Sequence, residues 1–168
     1  MLRRIGIALV VLGLLAAGVR MLVLKLASDA TKIRWAIQDA AEGFSEARMD
    51  PVLAVLAREF RDETSGFGRE DLRGALAGAF FGEKDPETKG FPYRCEIADE
   101  AIQIEVVKGE PDRATVSFPG KLVDARGGTR REAWSFQVEG RMEERPEGWC
   151  FMTTTHETLE GSFRLRAR

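Results

Sequence analysis

From Asp29 onward the spacing of apolar residues changes once along this chain, near residue 92. Before that point it is helical. Ile33, Ile37, Ala40, Ala41 and Phe44 form one stripe, with Lys32, Arg34, Asp39, Glu42 and Glu46 mostly off it, which predicts a first helix from Asp29. "MDPVLAVLA" predicts a short second helix, capped by Asp50 with Pro51 in its first turn. "REFRDETSG" reads as a short extended segment. "GREDLRGALAGAFF" predicts a third helix, with Leu72, Ala75, Leu76, Ala79 and Phe80 on one side. Glu70 and Asp71 lie in its first turn, where the helix dipole favours acids.

After the loop "GEKDPETKGFP" the period becomes two. The runs are Ile102, Ile104, Val106, then Ala114, Val116, Phe118, Leu122, then Trp134, Phe136, Val138, Met142, each alternating with polar residues. The turns "GEPD", "ARGGT" and "RPEG" are short enough for hairpins. A final strand, "EGWCFMTTTHETLE", closes the series. Helices followed by an antiparallel meander with one apolar face predict an α+β fold in which the helices cover that face.

Residues 1–28 follow a different pattern. Arg3 and Arg4 precede an apolar run, Ile5 to Ala27, of 23 residues interrupted only by Arg20 and Lys25. As a helix it would be about 34 Å long, enough to cross a bilayer, with both cations toward the far interface. A cleaved signal is the alternative, since Ala16 and Gly18 offer small residues at cleavage spacing. Either reading puts the domain, residues 29–160, outside the cytoplasm, as a single-pass membrane protein or as a secreted or periplasmic one. Residues 161–168 form a basic tail. Trp35, off the first helix's apolar stripe, suits either an interfacial position or simple packing.

Composition narrows the functions. The 168 residues carry 25 basic and 27 acidic side chains, a net charge of -2, so no nucleic acid partner is expected. Two cysteines, Cys95 and Cys150, are too few for a four-cysteine zinc site, but outside the cytoplasm they could form a disulfide. No metal cluster, nucleophile elbow or nucleotide fingerprint is present, and no cofactor is expected.

"FSEARMDPVLAVLAREF", followed by "GREDLRGALAGAFF" and closed by "EGWCFMTTTHETL", resembles the nuclear transport factor 2-like, or SnoaL-like, superfamily over residues 30–160. The resemblance implies a cystatin-like cone, a curved sheet wrapped on helices with a pocket at its open end. Members of the superfamily include ketosteroid isomerase, polyketide cyclases and dehydratases, and also proteins that only bind or assemble. The anchored assembly subunits of type IV secretion systems are similar to this chain in joining an anchor to a cone. Isomerase-type members use a tyrosine on the first helix and an aspartate between the second and third. Those slots fall on Ala40 and Thr64, with Asp62 and Glu63 close enough to substitute for the base. The chain's one tyrosine, Tyr93, lies elsewhere, so the isomerase pair is absent.

The catalytic candidates are therefore His156 and Asp62. Phe44, Phe118, Trp134 and Phe136 are the expected pocket lining. His156 shares strand parity with Cys150, Met152 and Thr154, opposite Trp149, Phe151, Thr153 and Thr155. Both sets begin apolar, so parity leaves open which one enters the cone. The leading expectation is a membrane-anchored binding or assembly module without catalysis, a homodimer or the partner of another envelope protein, with the half-apolar last strand as a pairing surface. The alternatives are a small-molecule enzyme of the cyclase, dehydratase or isomerase type and a non-reacting carrier of an apolar ligand. One feature separates them: whether His156 and a carboxylate open into the same apolar cavity.

Overall fold

The computed structural model describes residues 27–163. The anchor or signal reading rests on residues 1–26 almost entirely and, like residues 164–168 of the tail, lies outside the described residues. Among the described residues no helix is long and apolar enough to cross a membrane.

Three helices precede most of the sheet. Helix α1 spans Asp29–Ser45, with Ser28 as its N-cap accepting from the Thr31 amide. Helix α2 spans Met49–Ala54 and α3 spans Arg69–Gly82. Strand β1, Leu56–Asp62, lies between α2 and α3. The remaining strands are β2 (Tyr93–Glu96), β3 (Gln103–Val107), β4 (Arg113–Asp124), β5 (Arg131–Arg145) and β6 (Gly148–Gly161). The sheet order is β1-β6-β5-β4, with β2 and β3 both beside β4. Every pairing is antiparallel except β1 with β6, which is parallel. The architecture is the expected α+β, a curved sheet packed on few helices.

Two local expectations are corrected. Asp50 sits in the first turn of α2 rather than capping it; Arg48 holds the N-cap position and makes no side-chain cap bond. The helix also stops at Ala54, before the apolar run of "MDPVLAVLA" ends. The sheet takes over there: the Phe151 amide donates to the Val55 carbonyl at 2.8 Å, and Leu56 pairs with Phe151.

The concave face of the sheet meets α1 through one core. Ile33 and Ile37 pack with Phe60, Ile102, Val116, Phe118, Met142, Trp149 and Phe151. Each such side chain, fully buried, contributes roughly 1.5–3 kcal/mol. A second cluster joins α2 and α3 to the loop before β2, through Leu53, Leu76, Ala79, Phe80 and Phe91.

Two glycines let the sheet close around aromatic rings. A Cβ on Gly140 would stand 2.6 Å from the Phe151 ring, and one on Gly120 would stand 2.7 Å from the Phe136 ring. Without those methyls each phenyl lies across the neighbouring strand.

Strand β6 carries the feature that answers the parity question. Met142 faces Phe151, but Arg141 faces Thr153, so Met152 is an extra residue, a β-bulge. Before it, Trp149 and Phe151 point into the core; after it, Thr154, His156 and Thr158 do. One inserted residue switches the inward set from odd to even positions.

The disulfide that the sequence allows does not form. Cys95 on β2 and Cys150 on β6 are free thiols, and β4 and β5 lie between their strands. Three interstrand spacings come to about 14 Å, well beyond the Cα separation of about 7 Å that a disulfide tolerates. Burial pushes the Cys95 thiol up to about 12, with the Glu96 carboxylate adding to the effect. Burial also raises the Cys150 thiol.

Candidate active site

Asp62 ends β1 at the start of a tight turn. Its amide donates to the Phe67 carbonyl and its carbonyl accepts from the Gly66 amide, both at 2.8 Å. Gly66 takes φ +76, the left-handed region that glycine enters freely. The Asp62 side chain bends back into this turn, where Oδ2 accepts from the Ser65 amide at 2.7 Å and from Ser65 Oγ at 2.5 Å. This is an Asx-type turn, and it fixes the carboxylate from below.

The other carboxylate oxygen faces β6. Asp62 and Thr154 are register partners, and Thr154 Oγ1 donates to Asp62 Oδ1 at 2.9 Å. His156 Nδ1 lies 3.3 Å from the same oxygen. Asp62 is only 5% exposed. Burial works against its charge, but the bonds from Ser65, Thr154 and His156 outweigh it and hold the carboxyl below its ordinary range. An ionised carboxylate only accepts, so the proton of a neutral His156 belongs on Nδ1. That leaves Nε2 with a lone pair and, among the described residues, no protein partner.

Both residues open into one cavity of about 680 Å³. Its walls are mostly apolar, from Leu56, Phe60, Phe67, Leu72, Phe118, Phe136, Val138 and Phe151 among others. The polar lining is Asp62, Ser65, Thr154, His156, Thr158 and Ser162; among the described residues no lysine or arginine lines it. Trp134 is pinned beside the histidine: its Nε1 donates to Thr158 Oγ1 at 3.1 Å, and its ring meets the imidazole edge to face at 6.0 Å. Among the described residues no three His, Cys, Asp or Glu side chains converge as metal ligands would.

The expected site residues are placed as follows. Phe118, Trp134 and Phe136 line the cavity with His156 and Asp62. Phe44 does not; it sits in the second cluster, 5.7 Å from Phe80 and 5.3 Å from Phe91. Its position on α1 turns it toward α2 and α3, a direction that a helical stripe alone does not distinguish. Thr64 and Glu63 lie outside the cavity, Glu63 within 3.4 Å of Arg141. Sequence reasoning missed Ser65 and Phe163. The Asp62-x-x-Ser65 spacing is a turn signature that could have flagged the first; nothing in the pattern marks the second. Strand β6, expected as a free pairing surface, lies between β5 and β1. Only beyond His156 is its outer edge without a protein strand among the described residues.

This geometry can be compared with known proteins. No protein-family model matches the sequence, and no curated protein matches it. Solved structures do match. A nuclear transport factor 2-like protein with a cystatin-like fold from Novosphingobium aromaticivorans superposes with a TM-score of 0.60 at 17% identity, over 88% of this chain and 90% of that one. The fold is nuclear transport factor 2-like. A protein of N. aromaticivorans provisionally named as a scytalone dehydratase has a TM-score of 0.61 at 15% identity, over 82% of this chain and 89% of that one. A ketosteroid isomerase-like protein from Erwinia carotovora atroseptica has a TM-score of 0.52 at 18% identity, over 80% and 99%. At these identities the likeness is one of fold. Within a nuclear transport factor 2-like cone, the Asp62–His156 pair lies on the inner wall.

Proposed function

We propose that this chain is a small-molecule enzyme in which His156 is the general base, oriented by Asp62, and a neutral apolar substrate occupies the cavity. The observation that carries the reading is the pairing of a buried, ionised carboxylate with the one histidine of the chain inside an apolar, aromatic chamber. That arrangement fixes the tautomer, aims Nε2 at the contents of the cavity and stabilises the imidazolium that forms. Among the described residues no lysine or arginine lines the cavity to pair with a substrate anion, and burying an unpaired charge is costly, so a neutral molecule fits best.

The proton accounting is simple. Nε2 takes a proton from a carbon beside a carbonyl, and the C–H electron pair moves into the carbonyl as an enolate. Where a carbon–carbon double bond is conjugated with the enolate, the imidazolium returns the proton to the far carbon of that dienolate, which is isomerisation. Where the β-carbon carries a hydroxyl, the imidazolium protonates that hydroxyl, which leaves as water while the enolate electrons form the new double bond, which is dehydration. Thr158 Oγ1 already accepts the Trp134 N–H, so its own proton is available to a substrate oxygen. Two of the structural neighbours are named for such chemistry, a ketosteroid isomerase-like protein and the provisional scytalone dehydratase.

The same proposal puts the domain outside the cytoplasm, tethered through residues 5–27, on the strength of the apolar run and the flanking Arg3 and Arg4. The assembly reading has less to stand on, because the strand it relied on for pairing is flanked on both sides over most of its first half.

The test is proton exchange. Neutral cyclic ketones that bind the protein are incubated in D₂O and followed by NMR for loss of the α-proton. The expected result is exchange about 10²–10⁴ faster with the wild type than with H156Q. Bound ketones that exchange equally with both proteins would overturn the assignment.

A further inference from the structure

Strand β6 ends abruptly at Gly161, and the reason is local. Gly161 has φ +74, and a Cβ there would lie 2.3 Å from the Ala133 carbonyl oxygen. Only glycine makes this turn without both backbone strain and a clash. The Ser162 amide then donates to the same Ala133 carbonyl at 3.3 Å, which holds the departing chain against β5. The outcome is that Ser162 and Phe163 leave the sheet and both line the cavity.

The Phe163 ring bridges two aromatic groups that otherwise stay apart. It lies 5.0 Å from Tyr93 and 6.4 Å from Phe44, both in or against the second cluster. On the other side it stacks 6.4 Å from Trp134 at an interplanar angle of 20°. His156 pairs with Val138 across β5, whereas Gly161 pairs with Trp134. Four residues of β5 separate those rungs, or about 13 Å along the strand. The base and the turn that carries the arm therefore stand that far apart along the chamber wall, and the Trp134 ring meets both the imidazole, at 6.0 Å, and the Phe163 ring.

We propose that Phe163 is a specificity-determining residue: it is the end wall that sets how long a ligand the cavity accepts. The proposal rests on the cavity being the ligand site, but not on any reaction occurring there. A ligand whose polar atom sits at His156 extends toward Trp134 and stops at the Phe163 ring. Replacing that ring with a methyl opens the chamber toward Tyr93 and Phe44.

The test uses neutral 4-alkylphenols, from methyl to octyl, competing with a polarity-sensitive fluorescent probe on the full-length chain. In the wild type each added methylene should tighten binding about four-fold, the worth of burying one such group, until the chain meets Phe163 and the gain stops. In F163A the gain should continue for two or three more carbons, and in F163W it should stop sooner. H156Q should break at the wild-type length, so a failure of catalysis and a failure of the end wall read out separately. A break at one common length in wild type, F163A and F163W, all folded by circular dichroism, would overturn the proposal. So would a uniform loss of affinity along the series in F163A, or a wild type that binds no member.

Discussion

A single hydroxyl holds both backbone polar groups of His156: Thr64 Oγ1 accepts from its N–H at 2.9 Å and donates to its C=O at 3.2 Å. Beyond Asp62, β1 has no further strand residues to pair with β6, and Thr64 continues the ladder with its side chain. The Thr64→Val variant keeps the shape and loses both bonds. Its thermal midpoint should fall by a few degrees, consistent with about 1 kcal/mol. The exchange rate should fall about ten-fold, and Thr64→Ser should restore most of it. A valine variant with unchanged exchange would show that the clamp has no bearing on the base.

Asp62→Asn probes the tautomer. An asparagine amide can donate to Nδ1, which moves the imidazole proton to Nε2 and removes the lone pair from the cavity. Exchange should drop by a factor of about 10³–10⁴, while a phenol ligand should still bind in the competition assay.

The same variant separates a pH effect. The Asp62 carboxyl titrates below its ordinary value in the folded chain. A depressed carboxyl contributes stability that is full above the unfolded value, about 3.9, and is lost as pH falls through the folded one. The wild-type melting temperature should therefore decline more steeply below about pH 4 than that of D62N. Parallel declines between pH 2 and 6 would contradict the bonding around Asp62.

Gly140 tests the close approach of Phe151. Gly140→Ala places a methyl within 2.6 Å of that ring, and overpacking of this kind costs about 1–3 kcal/mol. Urea unfolding should show the loss directly. Gly74, where an added Cβ meets nothing within 4 Å, is the control on a helix, and Gly74→Ala should be neutral or stabilising.

The N-terminal expectation has its own measurement. If residues 5–27 anchor the chain, full-length protein should stay in the membrane pellet after alkaline carbonate extraction. Recovery of a shortened mature chain in the soluble fraction would favour the cleaved signal.

Much of this fold was legible in the residue pattern because each element buries one periodic face. Ile33 and Ile37 at helical spacing, and Val116 and Phe118 at strand spacing, lie in the core as expected. The site was harder to read for reasons of geometry. Asp62 stands two residues before the slot suggested by the resemblance, because an Asx turn rather than an alignment position decides where its carboxylate goes. Phe44 turned toward Phe80 and Phe91 because its helix has two neighbours and a stripe does not say which. His156 could not be placed inside or outside, since strand parity is defined only up to the next bulge. Phe163 joined the chamber through a turn at Gly161 that periodicity does not describe.

The extra residue Met152 has a consequence for how such a chamber changes over time. Were the same residues paired with β5 without the bulge, Thr153, Thr155 and Glu157 would stand where Thr154, His156 and Thr158 now stand, and the imidazole would turn out to water. Two chains differing only in whether β6 bulges at Met152 would share composition, topology and helices, yet one interior would hold a base and the other none. Gain or loss of reactivity in this scaffold then needs a shift of phase in one strand rather than any exchange of side chains.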